Sequence, residues 1–449
     1  MLQFTQSLLK GTLHLLILCS SFLGLSGLLH AQRMLTLEEA IATALQNNYD
    51  IRLSRNDSAV AALDYSYRNA VFVPRLNANL GTTWNNNAQK QTLADGTKRE
   101  NNGIKSHNMA AGIALNWTLF DGLKMFAIRD KAEEFIRLGE LGIKDQVVNT
   151  VAAVIADYYN IVRQKQQLKA IEEQISINTE RVKLAQYKLD IGTGAKPDML
   201  QSRVDLNTQK SLQLNQQTVM AKLKEQLNQA MNVASGTNYE VADSIVFNPN
   251  LNLGDIQNNM EKTNPTLLIA QKNIDIAGIT LKERKADLYP VVSFNSAYNF
   301  NRTDNKAVIN PFSPLFNQSK GFNYGFTAAI PIVNNFNARR LARQAQLDIE
   351  FQQLMYENQR SRINLSVLNA FKDYEAEKKA LALEEETILW AKENVSIIFE
   401  TYRLGGATYI QLREAQNSLE VAYYRLISAR YNTKLAETEL MRLKGELVK

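Results

Sequence analysis

Cysteine is nearly absent from this 449-residue chain: the single one, Cys19, lies in an apolar stretch close to the N-terminus. Without a second cysteine there is no disulfide framework, and beyond residue 31 there is no thiol nucleophile. Histidine is almost as scarce, and His107 is the only one of three past residue 31. It sits in a polar stretch, where a solvated side chain is a simpler role than ligand or general base. The chain has no His-Glu-x-x-His helix, no Gly-x-Ser-x-Gly elbow and no Gly-Lys-Ser/Thr phosphate loop. Its carboxylates are scattered along helical faces, without the burial or charged partner that shifts a pKa for acid–base work. No enzyme, cofactor or metal site is therefore expected. Long apolar runs are also missing after residue 31, where nothing approaches the roughly 20 residues of a membrane-spanning helix.

At the N-terminus, Lys10 precedes an apolar run from Leu13 to Leu29, softened by Ser20, Ser21, Gly24, Ser26 and Gly27 and closing at Ala31. This is the pattern of a secretory signal peptide over residues 1–31. A retained anchor is the alternative, because Leu29 rather than a small residue precedes the cut at the third position. Lipid attachment at Cys19 is disfavoured, since Leu16, Ile17 and Leu18 precede it and more apolar chain follows. The net charge of +6 does not point to nucleic acid. Lys131-Ala132-Glu133-Glu134, and Lys378-Lys379 followed by Glu384-Glu385-Glu386, interleave the signs as solvated helix faces do. The densest basic cluster, Arg339, Arg340 and Arg343, reads as solvated surface too.

What the chain does have is length of pattern. Residues 123–190 contain no proline, and Val147, Val154, Ile161, Leu168, Ile175, Val182 and Leu189 form a heptad column. That is a coiled-coil seam in a helix on the order of 100 Å long. A shift of 216 superposes Leu37 on Leu253, Asn48 on Asn264 and Pro74 on Pro290, and the seam recurs at Val367, Tyr374, Leu381, Ile388, Val395 and Tyr402. Two halves therefore share one plan: residues 32–233 and 255–449, joined by a linker at 234–254 free of heptads. In the first half the expected elements are a helix at 36–70, strands at 72–85 and 108–120, the long helix at 123–190 and a helix at 198–232. The second half repeats them as helix 255–288, strands 291–301 and 322–333, long helix 336–403 and helix 409–444. Pro74 and Pro290 stop the first helix of each half.

The strands alternate with a period of two. Leu76, Leu80, Trp84, Ile113, Leu115, Trp117, Phe294, Tyr298, Phe300, Phe322, Tyr324 and Phe326 fall on one face, and Asn, Gly, Thr and Ser on the other. Strands of this length with one apolar, aromatic face suit a tilted crossing of a bilayer, lipid on one side and a watery lumen on the other. Four strands cannot close a barrel, and an open edge in lipid leaves backbone groups unpaired, so other copies must complete it. The polar stretches Asn86–Ser106 and Thr303–Lys320 are expected as outer loops. The two shorter helices of each half, stacked end to end, equal its long helix. Each half is thus expected as a long rod beside a broken one, with strands at one end and a glycine-rich turn at the other. Asp198 is the expected N-cap of the helix after Pro197.

Several short signatures then gain weight by their order: Leu37-Glu38-Glu39-Ala40-Ile41 with Asn47-Asn48 downstream, Pro74 and Pro290, the corner Leu119-Phe120-Asp121-Gly122, and the turns Tyr187-Lys188-Leu189 and Tyr402-Arg403-Leu404-Gly405. Over essentially the whole chain past residue 31 this pattern resembles the TolC-type outer membrane efflux proteins. The resemblance implies a mainly α fold with membrane β. A homotrimeric 12-stranded outer-membrane barrel would continue into a periplasmic barrel of 12 helices. It further implies an exit duct for a tripartite efflux pump or type I secretion system, working with a periplasmic adaptor and an inner-membrane transporter of RND or ABC type. By the same resemblance, Asp198, Tyr402, Gln411 and Glu414 belong to the periplasmic aperture, and Gly192, Thr193, Gly194, Gly405 and Gly406 to the turns that meet the adaptor. Two departures stand out: Ala407 occupies the place of a gate arginine, and Gln411 is neutral where an acid is usual. Three copies of Glu414 would form a negative ring favouring cations. The competing class is a periplasmic or surface coiled-coil protein with no pore, which leaves the strands unexplained.

Overall fold

A computed structural model describes residues 34–310 and 312–447; the expected signal peptide lies outside them. The chain is mostly helical with one four-stranded antiparallel sheet. In order come α1 (Leu37–Asn47), α2 (Tyr49–Ser66), a 3-10 turn (Arg68–Phe72), β1 (Arg75–Thr92), β2 (Lys98–Phe120), α3 (Lys124–Asp190), α4 (Lys196–Met231), α5 (Leu253–Thr263), α6 (Pro265–Ala286), β3 (Val291–Asn305), β4 (Phe316–Ala329), α7 (Asn337–Arg403) and α8 (Tyr409–Lys444). The long helices α3 and α7 have 67 residues each, and α4 and α8 have 36 each. The chain divides into two units, one of Arg52–Gln146 with Gln257–Ser366, the other of Met1–Ile51, Val147–Ile256 and Val367–Lys449.

The first of these units contains the sheet, with strand order β1-β2-β3-β4, so that β2 and β3 join the two halves of the chain and β1 and β4 are the edges. Leu76 pairs with Leu115, Ile113 with Tyr298, Trp117 with Phe294, Phe294 with Phe326 and Tyr298 with Phe322. Directly paired residues share a face, so the twelve apolar positions named above lie on one side. On the other side Asn79, Gly112, Asn299 and Gly321 form one cross-strand row. A Cβ on Gly112 would stand 2.8 Å from Asn299 Oδ1, so the glycine makes room for that amide.

The strands overrun the expected bounds. Asn86–Ser106 is mostly strand, closed by a tight turn in which Gly96, at φ 83, donates its N–H to the Leu93 carbonyl. Asp95-Gly96 is a hairpin signal of a kind that favours such turns, and cross-strand pairing overrides the weak β propensity of the flanking Asn and Lys. β3 and β4 likewise run into the expected loop, to Asn305 and from Phe316, and β4 ends at Ala329 rather than 333.

The single helices expected at 36–70 and 255–288 are each broken. Asn48 accepts the N–H groups of Asp50 and Ile51 on its side-chain oxygen, at 2.9 and 3.3 Å, and its own extended backbone ends α1. Asn264 is the N-cap of α6, accepting from Leu267 N at 3.1 Å with Pro265 behind it. Asparagine competes with helix by bonding nearby backbone, and proline suits the first helical position.

In the second unit the core gathers Leu35, Ala40 and Ala44 with Val151, Val154, Tyr158 and Ile161 of α3, Leu227 and Met231 of α4, and Tyr239, Val241 and Ile245 of the linker. Each large aliphatic side chain buried there contributes about 1.5–3 kcal/mol. The linker 234–254 is stitched to this core by polar bonds as well. Leu35 N donates to the Glu240 carbonyl at 2.8 Å, Tyr158 OH donates to the Leu35 carbonyl at 2.9 Å, and Lys165 meets Asp243 at 2.7 Å.

The seam of α7 is buried as expected from Val367 through Tyr402. That of α3 is not. Val154 and Ile161 are buried, but Leu168, Ile175, Val182 and Leu189 are only half-buried. The buried line moves instead to Ile171, Gln174, Asn178, Arg181 and Ala185. The new line keeps a seven-residue spacing in its own columns, Ile171, Asn178 and Ala185 in one and Gln174 and Arg181 in the other, so the contact face is offset from the apolar column while the heptad period is kept.

Candidate functional site

That displaced line carries polar side chains into the interior, and Arg181 is the centre of what they build. Its side chain is 2% exposed. One terminal nitrogen donates to Gln416 Oε1 of α8 at 2.5 Å and the other to Asp205 Oδ2 of α4 at 2.6 Å. Tyr409 OH donates to the same carboxylate oxygen at 2.8 Å, and Gln201 Nε2 to the other at 2.8 Å. The guanidinium also lies 5.2 Å from the Tyr409 ring centre. Three helices are thereby joined through one charged pair. A cavity of about 330 Å³ adjoins it, bordered by Gln174, Asn178, Gln209 and Glu420 among others. Gln174 Nε2, Arg181 Nε, Gln209 Oε1 and Gln416 Nε2 have no protein partner, so polar capacity is left over in this interior.

The electrostatics follow from burial. Loss of water around Tyr409, together with its bond to the Asp205 carboxylate, pushes its phenol up to about 12. Burial also raises the carboxyl of Glu420, partly offset by the Gln209 amide that donates to it at 3.0 Å.

A second link lies near the turns. The Lys188 ammonium of α3 donates to the Tyr402 carbonyl of α7 and sits 4.0 Å from the Tyr402 ring centre. Tyr402, Tyr409 and Leu412 form a small core with Leu184 and Phe399.

Two turns of five residues follow the long helices, 191–195 and 404–408. Gly192 and Gly405 occupy the same place in each and take φ 78 and 87, the left-handed values that close a helix. In the first turn Thr193 N and Gly194 N both donate to the Lys188 carbonyl, at 2.9 and 2.8 Å. A Cβ on Gly194 would stand 2.8 Å from Lys188 Cβ and 2.9 Å from Leu189 N, so only glycine fits. A Cβ on Gly406 would meet nothing closer than the Thr401 methyl at 3.2 Å.

Of the residues expected at an aperture, the structure brings two together. Tyr402 is buried, and its phenol is raised first by burial and then by the negative charge of Asp198. Asp198 is not an N-cap: Ala195 holds that position, Lys196 and Pro197 open α4, and Asp198 lies in the first turn. Proline tolerates the first helical turn because it has no N–H to lose there, which moves the start two residues upstream. Gln411 is engaged locally, its Oε1 accepting from Thr408 N at 2.8 Å in a complete capping box. Glu414 is exposed and borders a groove with Trp390, Asn417 and Arg425. Arg181, Asp205, Tyr409 and Gln416 were missed by sequence reasoning. Their available signal was a set of polar residues, Gln174, Asn178 and Arg181, at helical spacing beside an apolar seam. Among the described residues no cluster of three or more His, Cys, Asp or Glu could hold a metal, and no helix is long and apolar enough to cross a membrane.

The family model for "Outer membrane efflux protein" matches residues 40–233 and 257–446. The chain is 18% identical over 423 residues to the outer membrane efflux protein BepC of Brucella suis, covering 92% of this chain and 86% of that one. It is 20% identical over 443 residues to the outer membrane protein TolC of Escherichia coli, covering 95% and 85%. Among solved structures, CusC superposes with a TM-score of 0.76 at 16% identity, covering 91% of this chain and 92% of that one.

Proposed function

This chain belongs to the outer membrane efflux protein family, and from that premise we propose that three copies form an outer membrane channel reaching into the periplasm, an exit duct for an efflux pump or type I secretion system. The observation that carries the proposal is the sheet: two unpaired edges, one apolar face and one amide-rich face in a chain whose family matches both halves. Three such sheets laid edge to edge give 12 strands, with the twelve apolar positions toward lipid and the asparagines toward water. The helices of equal length, 67 and 67 against 36 and 36, support a tube of 12 helical staves. A periplasmic adaptor and an inner-membrane transporter of RND or ABC type complete the duct, and the turns around Gly192–Gly194 and Gly405–Gly406 are the surfaces offered to the adaptor.

In this proposal the links from Arg181 to Asp205 and Gln416, from Tyr409 to Asp205 and from Lys188 to Tyr402 hold the aperture shut. They connect α3 and α4 to α7 and α8, so helices cannot separate without breaking them. Asp198 acts on Tyr402 by its charge, and Glu414 supplies one third of a negative ring.

Chemical crosslinking and planar-bilayer recording of the purified protein test this together. The expected result is a trimer with stepwise, cation-favouring conductance. Release from membranes by high salt alone would overturn the channel. Unchanged cation selectivity in Glu414→Gln would remove Glu414 from the ring.

A further inference from the structure

The corner between β4 and α7 exposes more apolar surface than a water-facing turn tolerates. Ile332 is 88% exposed, Val333 80% and Phe336 70%. The backbone there is strained in an unusual way: Asn335 and Phe336 both take left-handed φ values, 55 and 59. Asparagine adopts that region readily, but a bulky aromatic residue does not. The equivalent corner in the first half spends a glycine, Gly122, on the first of its two left-handed positions, and its apolar residues Leu119, Phe120 and Leu123 are less exposed, at 40%, 38% and 60%.

The cations around the two corners differ as well. At the first, Lys124 is taken by Asp287 at 2.8 Å. At the second, Arg339, Arg340 and Arg343 are all exposed, and none has a carboxylate within ion-pair distance among the described residues; Arg340 reaches only the Asn337 side chain, at 2.9 Å. A cavity of about 270 Å³ brings the two chemistries to one place, bordered by Leu288, Pro331, Ile332, Val333, Phe336 and Arg339. Its one acid, Asp287, is the carboxylate already neutralised by Lys124.

We propose that this corner is a binding site for an anionic phospholipid of the periplasm-facing leaflet. Arg339, Arg340 and Arg343 hold the phosphate, while Ile332, Val333 and Phe336 lie against the start of the acyl chains. The apolar band of the sheet leads directly into the corner, so a lipid seated there is continuous with the bilayer around β4. In the proposed trimer the β1 of the next copy joins the β4 edge, and its root brings Arg68 and Arg75 up to the same arginine cluster, so a second copy leaves that positive charge uncompensated. An anionic headgroup complements it. The proposal rests on the sheet lying in the outer membrane.

The test uses the full-length protein in detergent, titrated with phosphatidylglycerol or phosphatidylcholine and followed by native mass spectrometry. The expected result is preferential retention of phosphatidylglycerol. Replacing the three arginines by Gln together should lower its occupancy by about tenfold or more, and Phe336→Gly should weaken it less. Equal retention of the two lipids, or of phosphatidylglycerol by the parent and the triple variant, overturns the proposal. Displacement by inorganic phosphate at matched concentration overturns it too, because the site would then recognise a free anion. Bilayer recording of the same samples keeps the two levels apart: channels without lipid discrimination sink this site alone, and absence of channels sinks the reading beneath it.

Discussion

Helices α3 and α7 have the same length, 67 residues each, yet bury different chemistry over the stretches that lead to their turns. Along α7 the buried column is Leu381, Ile388 and Val395, packed with Ala415, Leu419, Ala422 and Leu426 of α8, and then Tyr402, packed with Tyr409 and Leu412. Along α3 the polar Gln174, Asn178 and Arg181 stand in the buried line between Ile171 and Ala185. Apolar packing is non-directional and survives small slips of one helix on another. A buried ion pair has one good geometry, and a half-made one is costly. The α7–α8 pair is thus held by area, and the contact of α3 with its neighbours by a few specific bonds that are either formed or broken. The turns repeat the contrast: Thr408 and Gln411 cap α8 completely, whereas Ala195 gives α4 no side-chain cap and Gly194 is wedged against Lys188.

Breaking the polar side should have the largest effect. Asp205→Ala leaves the Arg181 guanidinium buried without its counter-charge, at a cost of about 3–5 kcal/mol, read as faster hydrogen exchange along 174–185 and as increased single-channel conductance. The double variant Arg181→Met with Asp205→Leu should recover most of the stability without restoring the closed conductance. On the apolar side, Leu381→Ala should cost about 2–5 kcal/mol through the cavity it opens, with conductance nearly unchanged. Gly194→Ala should cost about 1–3 kcal/mol, while Gly406→Ala should be close to neutral. The cap sharpens the comparison further: Thr408→Ala loses about 1 kcal/mol, measured by exchange of the first-turn amides of α8.

The smallest effect concerns pH. Burial raises the Glu420 carboxyl above its ordinary value of 4.5. Its contribution to stability is fully present below that value and is lost as pH rises through the folded-state value. Glu420→Gln should therefore be more stable than the parent at neutral pH and equal to it near pH 4, in thermal melts of the helical signal.

Long, strongly periodic features were legible in the sequence. The bounds 123–190 and 336–403 fall within a residue of α3 and α7, because a heptad pattern of that length leaves few alternatives. The alternation in the strands placed all twelve apolar residues on one face, since a period of two fixes sides once pairing is known. Shorter signals carry less weight against a long pattern. Asn264-Pro265 and Asp95-Gly96 are a helix start and a hairpin turn in their own right, but the periodicity of 255–288 and the polarity of 86–106 mask them. The Arg181 cluster was not legible for a different reason. Its partners come from α4 and α8, at positions 205, 409 and 416, and only tertiary packing brings together residues so far apart in sequence. Burial, which decides whether an arginine is solvated or structural, is a property of that packing.

One feature of the sheet reaches beyond the finished molecule. With β2 paired to β3 in the middle, each chain emerges from synthesis with both outermost strands, the first and the last, unsatisfied along their full length. A lone protomer is consequently adhesive at two sites. In the proposed trimer, its survival depends on how quickly it meets its own kind rather than another exposed edge. Yield of the assembled form should therefore rise with local protein density and fall when delivery to the membrane is slowed, so that the conditions of its biogenesis are inscribed in the order of four strands.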